Sequence, residues 1–456
     1  MIETHEIEIA RHCIAFACAN GADNARVNLN KSGIDGCNML NGELDKVTHA
    51  ADRSVYLYLF VNGKYGTFST NMLEKESLED FILKAIDMVK MLGEDAYRKL
   101  PDPSRTEKNA NTGRELDLYD EAIEHTDSDS RLAKAKAMSI WQNSHKENNG
   151  EYSLISEECE YSESYDDSIT IDSQGFEGRH TESSFSFFTE VTIQDKEGNR
   201  YSGYWWDTLF RDSDADPSEC SRKALERAVA QIAPQPRRSG HTRMVVDSTV
   251  ASRLVAPVLN ALNGSALQQK MSFLDGTLGQ KVFSEGMNLM DLPRTAGRNG
   301  SRMYDSEGVA TKDAPVIKDG VVCQYFINTY NAEKMGIEPT VEDASRPCLM
   351  PYMKGKELAA EEISVSLKDI LQYCRNGILV TGFNGGNTNP VTGDFSFGIE
   401  GFAFSKGKIT HPVREMLITG NLKDLWNSLI AAGTDARPSS RWQIPTIAFE
   451  NVSFSA

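Results

Sequence analysis

Two β-prone runs read Val55-Tyr56-Leu57-Tyr58-Leu59-Phe60 and Tyr65-Gly66-Thr67-Phe68-Ser69, and Asn62-Gly63 lies between them. The runs predict two strands, and Asn-Gly supplies the positive φ angles that a two-residue hairpin loop requires. After the hairpin, apolar residues recur at helical spacing over residues 77–91, which predicts an amphipathic helix packed on the strands. Residues 5–20 also suit a helix. The opening region is therefore predicted to be α+β.

A second region follows the polar stretch at residues 101–113, which has the composition of an irregular connection. The turn residues 196–199 separate the last two of three predicted strands. These strands are 169–171, 185–193 and 201–210. Asp216-Pro217-Ser218-Glu219 is typical of a helix N-terminus, so a helix is predicted from there to about Ile232.

The cluster at residues 234–240 contains two prolines and cannot continue that helix. We therefore predict an N-terminal α+β region over residues 1–232, with a sub-boundary near 101–113. A C-terminal domain is predicted over residues 241–456.

The C-terminal domain begins with a short predicted strand at 244–246. Asp247 can cap a helix that runs from Ser248 to about Leu262, with a kink at Pro257. Short β-like runs punctuated by glycine follow at 321–325, 378–383, 401–404 and 447–452. The complete prediction is an α+β chain with mixed, mostly antiparallel sheets and packed helices, whose C-terminal domain is rich in β-structure.

Composition excludes several classes of protein. The formal net charge of −18 repels nucleic-acid phosphates, so no direct nucleic-acid binding is expected. No stretch approaches the roughly 18 uninterrupted apolar residues that a membrane helix needs, and the first six residues lack the basic start of a secretory signal. We expect a cytoplasmic protein without a membrane segment. The eight cysteines contain no C-x-x-C pair, which favours reduced, packed thiols.

The motifs in the sequence do not by themselves identify a reaction. His5-Glu6 begins like a zinc-protease motif, but His12 lies about 10 Å along a helix from His5, too far for both imidazoles to bind one zinc ion. The other histidines, including His145, stand alone in sequence, so a metal site assembled from distant residues stays open. Nucleophile-elbow and phosphate-loop motifs are absent. The acidic run 157–167 is interpreted as a solvated edge.

Several short strings occur in an order that resembles the TldD/PmbA family. They are Leu262-Asn263-Gly264-Ser265-Ala266-Leu267-Gln268, Ser272-Phe273-Leu274, Leu278-Gly279-Gln280, Asp305-Ser306-Glu307-Gly308-Val309, Gly320-Val321-Val322, Thr392-Gly393-Asp394-Phe395-Ser396 with Gly398, and Gly420-Asn421-Leu422-Lys423-Asp424-Leu425-Trp426. Weaker matches at Asp172-Ser173-Gln174-Gly175 and around Thr70 extend the similarity over nearly the whole chain.

The resemblance implies a metalloprotease built from a TldD and a PmbA (TldE) subunit, which processes peptides and unfolded protein segments. In the family, the TldD subunit binds zinc through H-E-x-x-x-H and a later cysteine. The matching positions here are Asn263, Gly264 and Gln268, and no cysteine follows Cys374. We therefore expect no catalytic residue, metal ligand or cofactor in this chain. Zinc is expected in a TldD-like partner, on which any activity would depend.

The resemblance also motivates a hypothesis about a peptide cleft. Its residues would be Gly385, Gly386, Thr392, Gly393, Asp394 and Ser396. An extended peptide could pair there through its backbone, although these glycines could equally serve tight turns. The isolated chain could form a homodimer. Two alternatives stay open: a regulatory binding protein, such as a modulator of DNA gyrase, and an autonomous hydrolase with a site that the sequence does not reveal.

Overall fold

A computed structural model describes residues 1–143, 150–214, 216–356 and 364–456. The chain forms two compact units. The first unit comprises Met1–Val229, Arg294–Thr311 and Ala332–Ile337, and the second comprises Ala230–Pro293, Lys312–Asn331 and Glu338–Ala456. The predicted α+β class is confirmed, and so are the mixed, mostly antiparallel sheets. Within the described ranges, every helix is too short or too polar to span a bilayer.

The first unit contains one six-stranded antiparallel sheet with the order β3-β2-β1-β4-β5-β6. Its strands are β1 (Asn24–Leu40), β2 (Glu43–Val61), β3 (Lys64–Thr70), β4 (Tyr152–Asp172), β5 (Glu177–Asp195) and β6 (Arg200–Leu209). Its helices are α1 (Thr4–Ala19), α2 (Lys75–Lys90), α3 (Ser128–Met138) and α4 (Ser218–Val229).

The predicted hairpin forms as β2 and β3. Asn62 and Gly63 have φ angles of 50° and 71°, and the ladder extends from Val61↔Lys64 to Val55↔Thr70. The helices predicted at 5–20 and 77–91 are confirmed as α1 and α2 within two residues. The missed feature is strand length, because β2 begins at Glu43, well before the apolar run.

Two separate hydrophobic cores lie along this long sheet. One joins α1 and α2, with Ile82 on α2, to the strands around Leu57 and Leu59. The other joins α3 and α4 to the strands around Tyr161 and Phe187. The segment 43–53 of β2 contributes no buried residue to either core, and its side chains are exposed on both faces except for the half-buried Thr48.

The acidic run 157–167 is not a solvated edge, so that interpretation was wrong. It lies in β4, which pairs with β1 on one side and β5 on the other. Glu157, Glu163 and Asp167 are buried. Each has polar partners: Glu163, for example, accepts hydrogen bonds from Arg131 Nε at 2.9 Å and from the Tyr161 hydroxyl at 2.9 Å. A buried carboxylate is stable when charge and hydrogen bonds compensate its lost hydration, and those partners are distant in sequence.

The second unit contains a seven-stranded sheet and a four-stranded sheet, with the orders β12-β16-β17-β15-β14-β13-β7 and β10-β9-β8-β11. The strands are β7 (Gly240–Val246), β8 (Leu289–Asp291), β9 (Ala314–Lys318), β10 (Val321–Val322), β11 (Pro347–Leu349), β12 (Tyr352–Met353), β13 (Gly377–Thr388), β14 (Asp394–Ser405), β15 (Lys408–Asn421), β16 (Leu429–Ala432) and β17 (Ile447–Ser455). The helices are α5 (Ser252–Ala261), α6 (Gly264–Gln268), α7 (Thr329–Met335, whose first residues belong to this unit), α8 (Leu367–Cys374) and α9 (Leu422–Asn427).

The larger sheet closes on itself. β17 pairs with β15 and also with β7, so β7, β13, β14, β15 and β17 form a ring of strands. Only the β7–β13 pair of this ring is parallel within the described residues. Closure removes the open edges of the five strands.

The observed structure differs from the single helix predicted over 248–262. Asp247 Oδ1 accepts a hydrogen bond from Thr249 N at 2.9 Å and holds a turn, so α5 begins only at Ser252. Pro257 lies inside α5 without ending it. The chain breaks instead after Ala261, because Asn263 has extended backbone angles and caps the separate helix α6.

Candidate functional site

The short helix α6 carries the three positions at which the family motif places zinc-binding and water-activating side chains. Asn263 is engaged as its N-cap: Oδ1 accepts from Ser265 N at 2.9 Å, and Nδ2 donates to the Glu342 carbonyl at 3.4 Å. Gln268, at the other end of α6, is half-buried. An amide that caps a helix supplies no imidazole nitrogen or thiolate for zinc.

Gly264 is tightly packed. Its backbone N–H donates to the Phe326 carbonyl at 2.7 Å. A Cβ atom at this position would lie 3.0 Å from the Phe326 carbonyl oxygen and 3.2 Å from Asn331 Cβ. A longer side chain here would therefore require the Phe326 carbonyl or Asn331 to shift by a few tenths of an ångström. The residues of α6 do not fit a zinc ion.

Restoring the motif by substitution is expected to fail. The triple variant Asn263→His/Gly264→Glu/Gln268→His should bind no stoichiometric zinc, because the late cysteine ligand is still missing and a side chain at position 264 crowds the Phe326 carbonyl. Gly264→Ala alone should lower the free energy of unfolding by about 1–3 kcal/mol through overpacking. Metal analysis and urea denaturation check both results, with the exposed Ser265→Ala as control. Tight zinc binding by the triple variant would contradict this account.

The described residues contain no cluster of three or more His, Cys, Asp or Glu side chains that could share a metal ion. His12 Nε2 contacts Glu79 Oε1 at 2.7 Å, whereas His5 contacts Glu3 at 3.2 Å, so the two histidines have different partners. Burial raises the pKa of the Cys374 thiol to about 11, as expected for a packed cysteine. His145 lies outside the described residues.

A cavity of ≈ 360 Å³ lies beside α5 and α6. Its walls come from both helices, from the following loop and from β13 and β14. The lining residues are Arg253, Ala256, Pro257, Asn260, Ala261, Ala266, Met271, Phe273, Gly386, Asn387, Thr388, Pro390 and Phe397. Most of these side chains are apolar, and a few polar groups lie among them, a composition typical of ligand sites.

The structure brings Gly386 to this cavity. The β13–β14 ladder shifts between Phe383 and Gly386, so Asn384 and Gly385 bulge out opposite Gly398. Gly385 and Gly386 have φ angles of 75° and 87° and are exposed. Glycine accepts this left-handed backbone without strain.

The other predicted cleft residues lie at the nearby turn between β13 and β14. Asp394 Oδ2 accepts from Thr392 Oγ1 at 2.7 Å, and Asp394 Oδ1 accepts from Asn421 Nδ2 at 2.9 Å. These hydrogen bonds, from Asn421 first and then Thr392, hold the pKa of Asp394 below its usual value. Gly393 is buried, and a Cβ atom there would lie 3.1 Å from the Phe273 ring. Ser396 is exposed on β14 and pairs with Asn387.

Arg253 is a functional candidate that the sequence did not reveal. Its Nη2 donates to the Gly386 carbonyl at 3.2 Å, and its guanidinium carbon lies 5.3 Å from the centre of the Phe397 ring. The side chain is exposed at the rim of the cavity. No local pattern distinguishes Arg253 from other charged helix residues, since its partners are far away in sequence.

Thr388 is a second such candidate. Its Oγ1 is buried and has no hydrogen-bond partner among the described residues. A buried hydroxyl normally has a partner, and a ligand in the cavity could provide one.

Three sequence profiles of the PmbA/TldA metallopeptidase family match the chain. The profile of domain 1 matches residues 37–89, that of the central domain residues 118–232, and that of the C-terminal domain residues 239–456. Among curated proteins, the chain is 24% identical to the metalloprotease PmbA of Escherichia coli O157:H7, over 95% of this chain and 92% of that protein. It is 21% identical to the PmbA homologue of a Buchnera aphidicola strain, over 92% and 90%.

Solved structures show the same relationship. A Bacteroides thetaiotaomicron protein described as a candidate modulator of DNA gyrase is 37% identical, with a TM-score of 0.92 and full coverage of both chains. TldE from Thermococcus kodakarensis shares the fold, with a TM-score of 0.79, 18% identity and coverage of 98% of this chain and 100% of that one. The chain therefore belongs to the TldD/PmbA family of metallopeptidases, as its sequence motifs predicted.

Proposed function

We propose that this chain is the PmbA-like subunit of a two-subunit peptidase, and that it binds and orients a peptide while a TldD-like partner holds the catalytic zinc. The observation that carries the proposal is α6. The side chain of its cap residue Asn263 accepts a hydrogen bond from the Ser265 backbone N–H, and Gly264 packs against the Phe326 carbonyl. Zinc, when bound by the partner, would polarise the scissile carbonyl and activate water.

The cavity beside α6 supports a role in peptide binding. Ala256, Ala261 and Phe273 contribute an apolar wall that suits an apolar side chain. The bulge at Asn384 and Gly385 leaves exposed backbone beside the cavity, where an extended segment could form hydrogen bonds that do not depend on its sequence. Such a mode fits a subunit that handles peptides or unfolded protein segments.

Arg253 gives the cavity a polar end. The guanidinium lies over Phe397 and uses one nitrogen for the Gly386 carbonyl. Arginine has five N–H donors, so several donors stay available for a peptide carbonyl or carboxylate. Thr388 Oγ1 is a further group for a substrate hydrogen bond.

Co-expression with a TldD-like protein tests the proposal. We expect the two chains to copurify, the zinc to remain with the partner after separation, and peptide cleavage to require both chains. Zinc that follows this chain, or chelator-sensitive cleavage by this chain alone, would contradict the proposal. Cleavage by the purified chain that survives chelators would favour an autonomous hydrolase instead.

Asp394→Ala in the same complex tests whether the turn at 392–394 belongs to the cleft. The substitution removes the acceptor of the Thr392 and Asn421 hydrogen bonds, so the turn loosens. If the peptide contacts this turn, we expect a higher KM with little change in kcat. Glu285→Ala, at another exposed turn, is the control. Unchanged activity would remove Asp394 from the cleft.

A regulatory role is the second candidate, because the Bacteroides relative is described as a candidate modulator of DNA gyrase. The net charge of −18 disfavours direct contact with DNA but permits contact with the enzyme. A pull-down distinguishes the two functions: a TldD-like partner supports the peptidase, and gyrase alone supports the regulator.

A further inference from the structure

The cavity beside α5 and α6 differs in charge from the rest of the molecule. Acidic residues outnumber basic ones by 66 to 48 in the chain, yet Arg253 is the charged residue in the described lining of this cavity. A cavity of ≈ 280 Å³ in the first unit shows the contrast, because Asp52, Asp166 and Glu182 line it. The potential beside Arg253 therefore favours an anionic ligand, whereas the cavity of the first unit repels one.

The guanidinium of Arg253 is available to such an anion. It makes one hydrogen bond, from Nη2 to the Gly386 carbonyl at 3.2 Å, and no carboxylate of the described residues pairs with it. The remaining N–H groups can bind both oxygens of a carboxylate, which is the strongest arrangement for this pair of groups. The Gly386 hydrogen bond and the Phe397 ring also hold the guanidinium in place, so binding costs less side-chain entropy.

Apolar surface lies close to this cation. The centre of the Phe397 ring is 5.3 Å from the guanidinium carbon, and Phe273, Ala256 and Ala266 line the same cavity. One residue of an extended chain covers about 3.3 Å. A ligand that uses both the cation and the apolar wall must therefore carry its anion and its apolar group within about the length of one residue.

The C-terminal residue of a peptide meets this requirement best. In an extended chain, neighbouring side chains point to opposite faces, so an acidic residue and an apolar neighbour cannot both enter one cavity. Residues two apart share a face but lie about 6.6 Å apart along the chain. The last residue carries its side chain and a carboxylate on the same Cα atom. Thr388 Oγ1 is buried in the lining without a hydrogen-bond partner among the described residues, and a hydroxyl can donate to a second carboxylate oxygen.

We propose that this cavity binds the C-terminal residue of a peptide, with Arg253 pairing with the terminal carboxylate and the apolar wall receiving the last side chain. The substrate class is then peptides and unfolded chain ends that finish in a free, apolar residue. The inference rests on the proposed peptide-binding role of the cavity and specifies which part of the peptide this chain recognises.

Fluorescence anisotropy with the purified chain alone tests the proposal. The first probe is a short glycine-serine peptide that carries fluorescein at its N-terminus and ends in leucine with a free carboxylate. The second probe ends in leucine amide, and the third also ends in an amide but has an internal glutamate beside a leucine. We expect both amides to bind at least about tenfold more weakly than the free acid. An internal glutamate that restores full affinity would overturn recognition of the C-terminus.

Arg253→Gln tests the residue that makes this distinction. The substitution removes the charge, so it should weaken binding of the free acid about tenfold and leave the leucine amide unchanged. Lys281→Gln is the matched control, because it removes one exposed positive charge outside the cavity lining. Melting temperatures close to that of the unaltered chain establish that both variants are folded. An acid-to-amide preference that survives Arg253→Gln would overturn the role of Arg253.

These measurements are separate from the test of the peptidase function, because they use neither zinc nor a partner. If the free acid and the amide bind equally while the co-expressed complex cleaves peptides, C-terminal recognition is wrong and the peptidase function stands. If the acid binds selectively through Arg253 but the complex does not form or cleave, the peptidase function is wrong and the carboxylate site stands. Failure of every probe to bind the unaltered chain would also refute the site.

Discussion

Replacing Arg179 with methionine is expected to lower the free energy of unfolding of the first unit by about 3–5 kcal/mol. Arg179 donates from Nη2 to Asp167 Oδ2 at 2.6 Å and from Nε to Oδ1 at 2.9 Å. Asp167 is fully buried in β4 and also accepts from Ile2 N at 2.7 Å. Removing the guanidinium leaves a buried carboxylate without its charge partner. Urea denaturation at neutral pH measures the loss.

The matched control is Arg11→Met. Arg11 makes a similar two-nitrogen contact with Glu177, at 2.7 and 3.1 Å, but both side chains are substantially exposed. Water screens this pair, so its loss should cost less than about 1 kcal/mol. Equal losses for the two variants would show that burial of Asp167 does not determine how much its ion pair contributes to the free energy of unfolding.

The effect of Arg179→Met should depend on pH. Burial alone would raise the pKa of Asp167, but the hydrogen bonds from Arg179, Ile2 and Thr181 and the charge of Arg179 hold that pKa below its usual value. In the unaltered protein this stabilisation is present above the unfolded pKa and is lost as pH falls through the folded pKa. Without Arg179, the pKa of Asp167 in the folded variant rises. As pH falls, Asp167 of the variant is therefore protonated, and the cost of burying an unpaired charge disappears. The stability difference should therefore shrink from pH 7 toward pH 4.

Ala266→Trp is expected to reduce peptide cleavage by the co-expressed complex at least about tenfold, a change of about 1.4 kcal/mol. Ala266 lies on α6 in the wall of the cavity, so an indole there would fill the space proposed for a substrate side chain. Because the partner would carry the catalytic zinc, the loss should appear mainly in KM. Steady-state kinetics over a range of peptide concentrations measures it.

Ser265→Trp is the control, since Ser265 precedes Ala266 on the same helix but is exposed and lies outside the cavity lining. Copurification and melting temperature must be the same for both variants, which separates a blocked cavity from a disrupted fold. If Ala266→Trp and Ser265→Trp leave equal activity, the peptide binds elsewhere.

Local signals in the sequence predicted the local structure well. Asn62-Gly63 predicted its hairpin because the φ angles of a two-residue loop depend only on the loop. Helices α1 and α2 followed from helical spacing of apolar residues. Asn263 is itself a good N-cap residue, so the break before α6 could have been predicted in place of a kink at Pro257.

Long-range structure was not predictable from such signals. The acidic run was misinterpreted because charge usually indicates exposure, whereas Glu163 finds Arg131 on another element. The family strings identified α6, but its contact with the cavity and with Gly386 arises from pairing across the fold. Arg253 of α5 reaches the Gly386 carbonyl only because β13 lies beside α5 in the folded chain.

Closure of the β-ring has a consequence for how the protein folds. β17 fills the gap between β15 and β7, and it joins β7 across about 200 residues of sequence. Contacts between residues so far apart in sequence form slowly. The chain loses loop-closure entropy before the hydrogen bonds of the ladder can compensate for that loss. Until residues 447–455 emerge from the ribosome, β7 and β15 each expose a strand edge whose backbone N–H and C=O groups are unpaired. The second unit should therefore complete its folding only once residues 447–455 have been synthesised, and it should depend most on chaperones before that point.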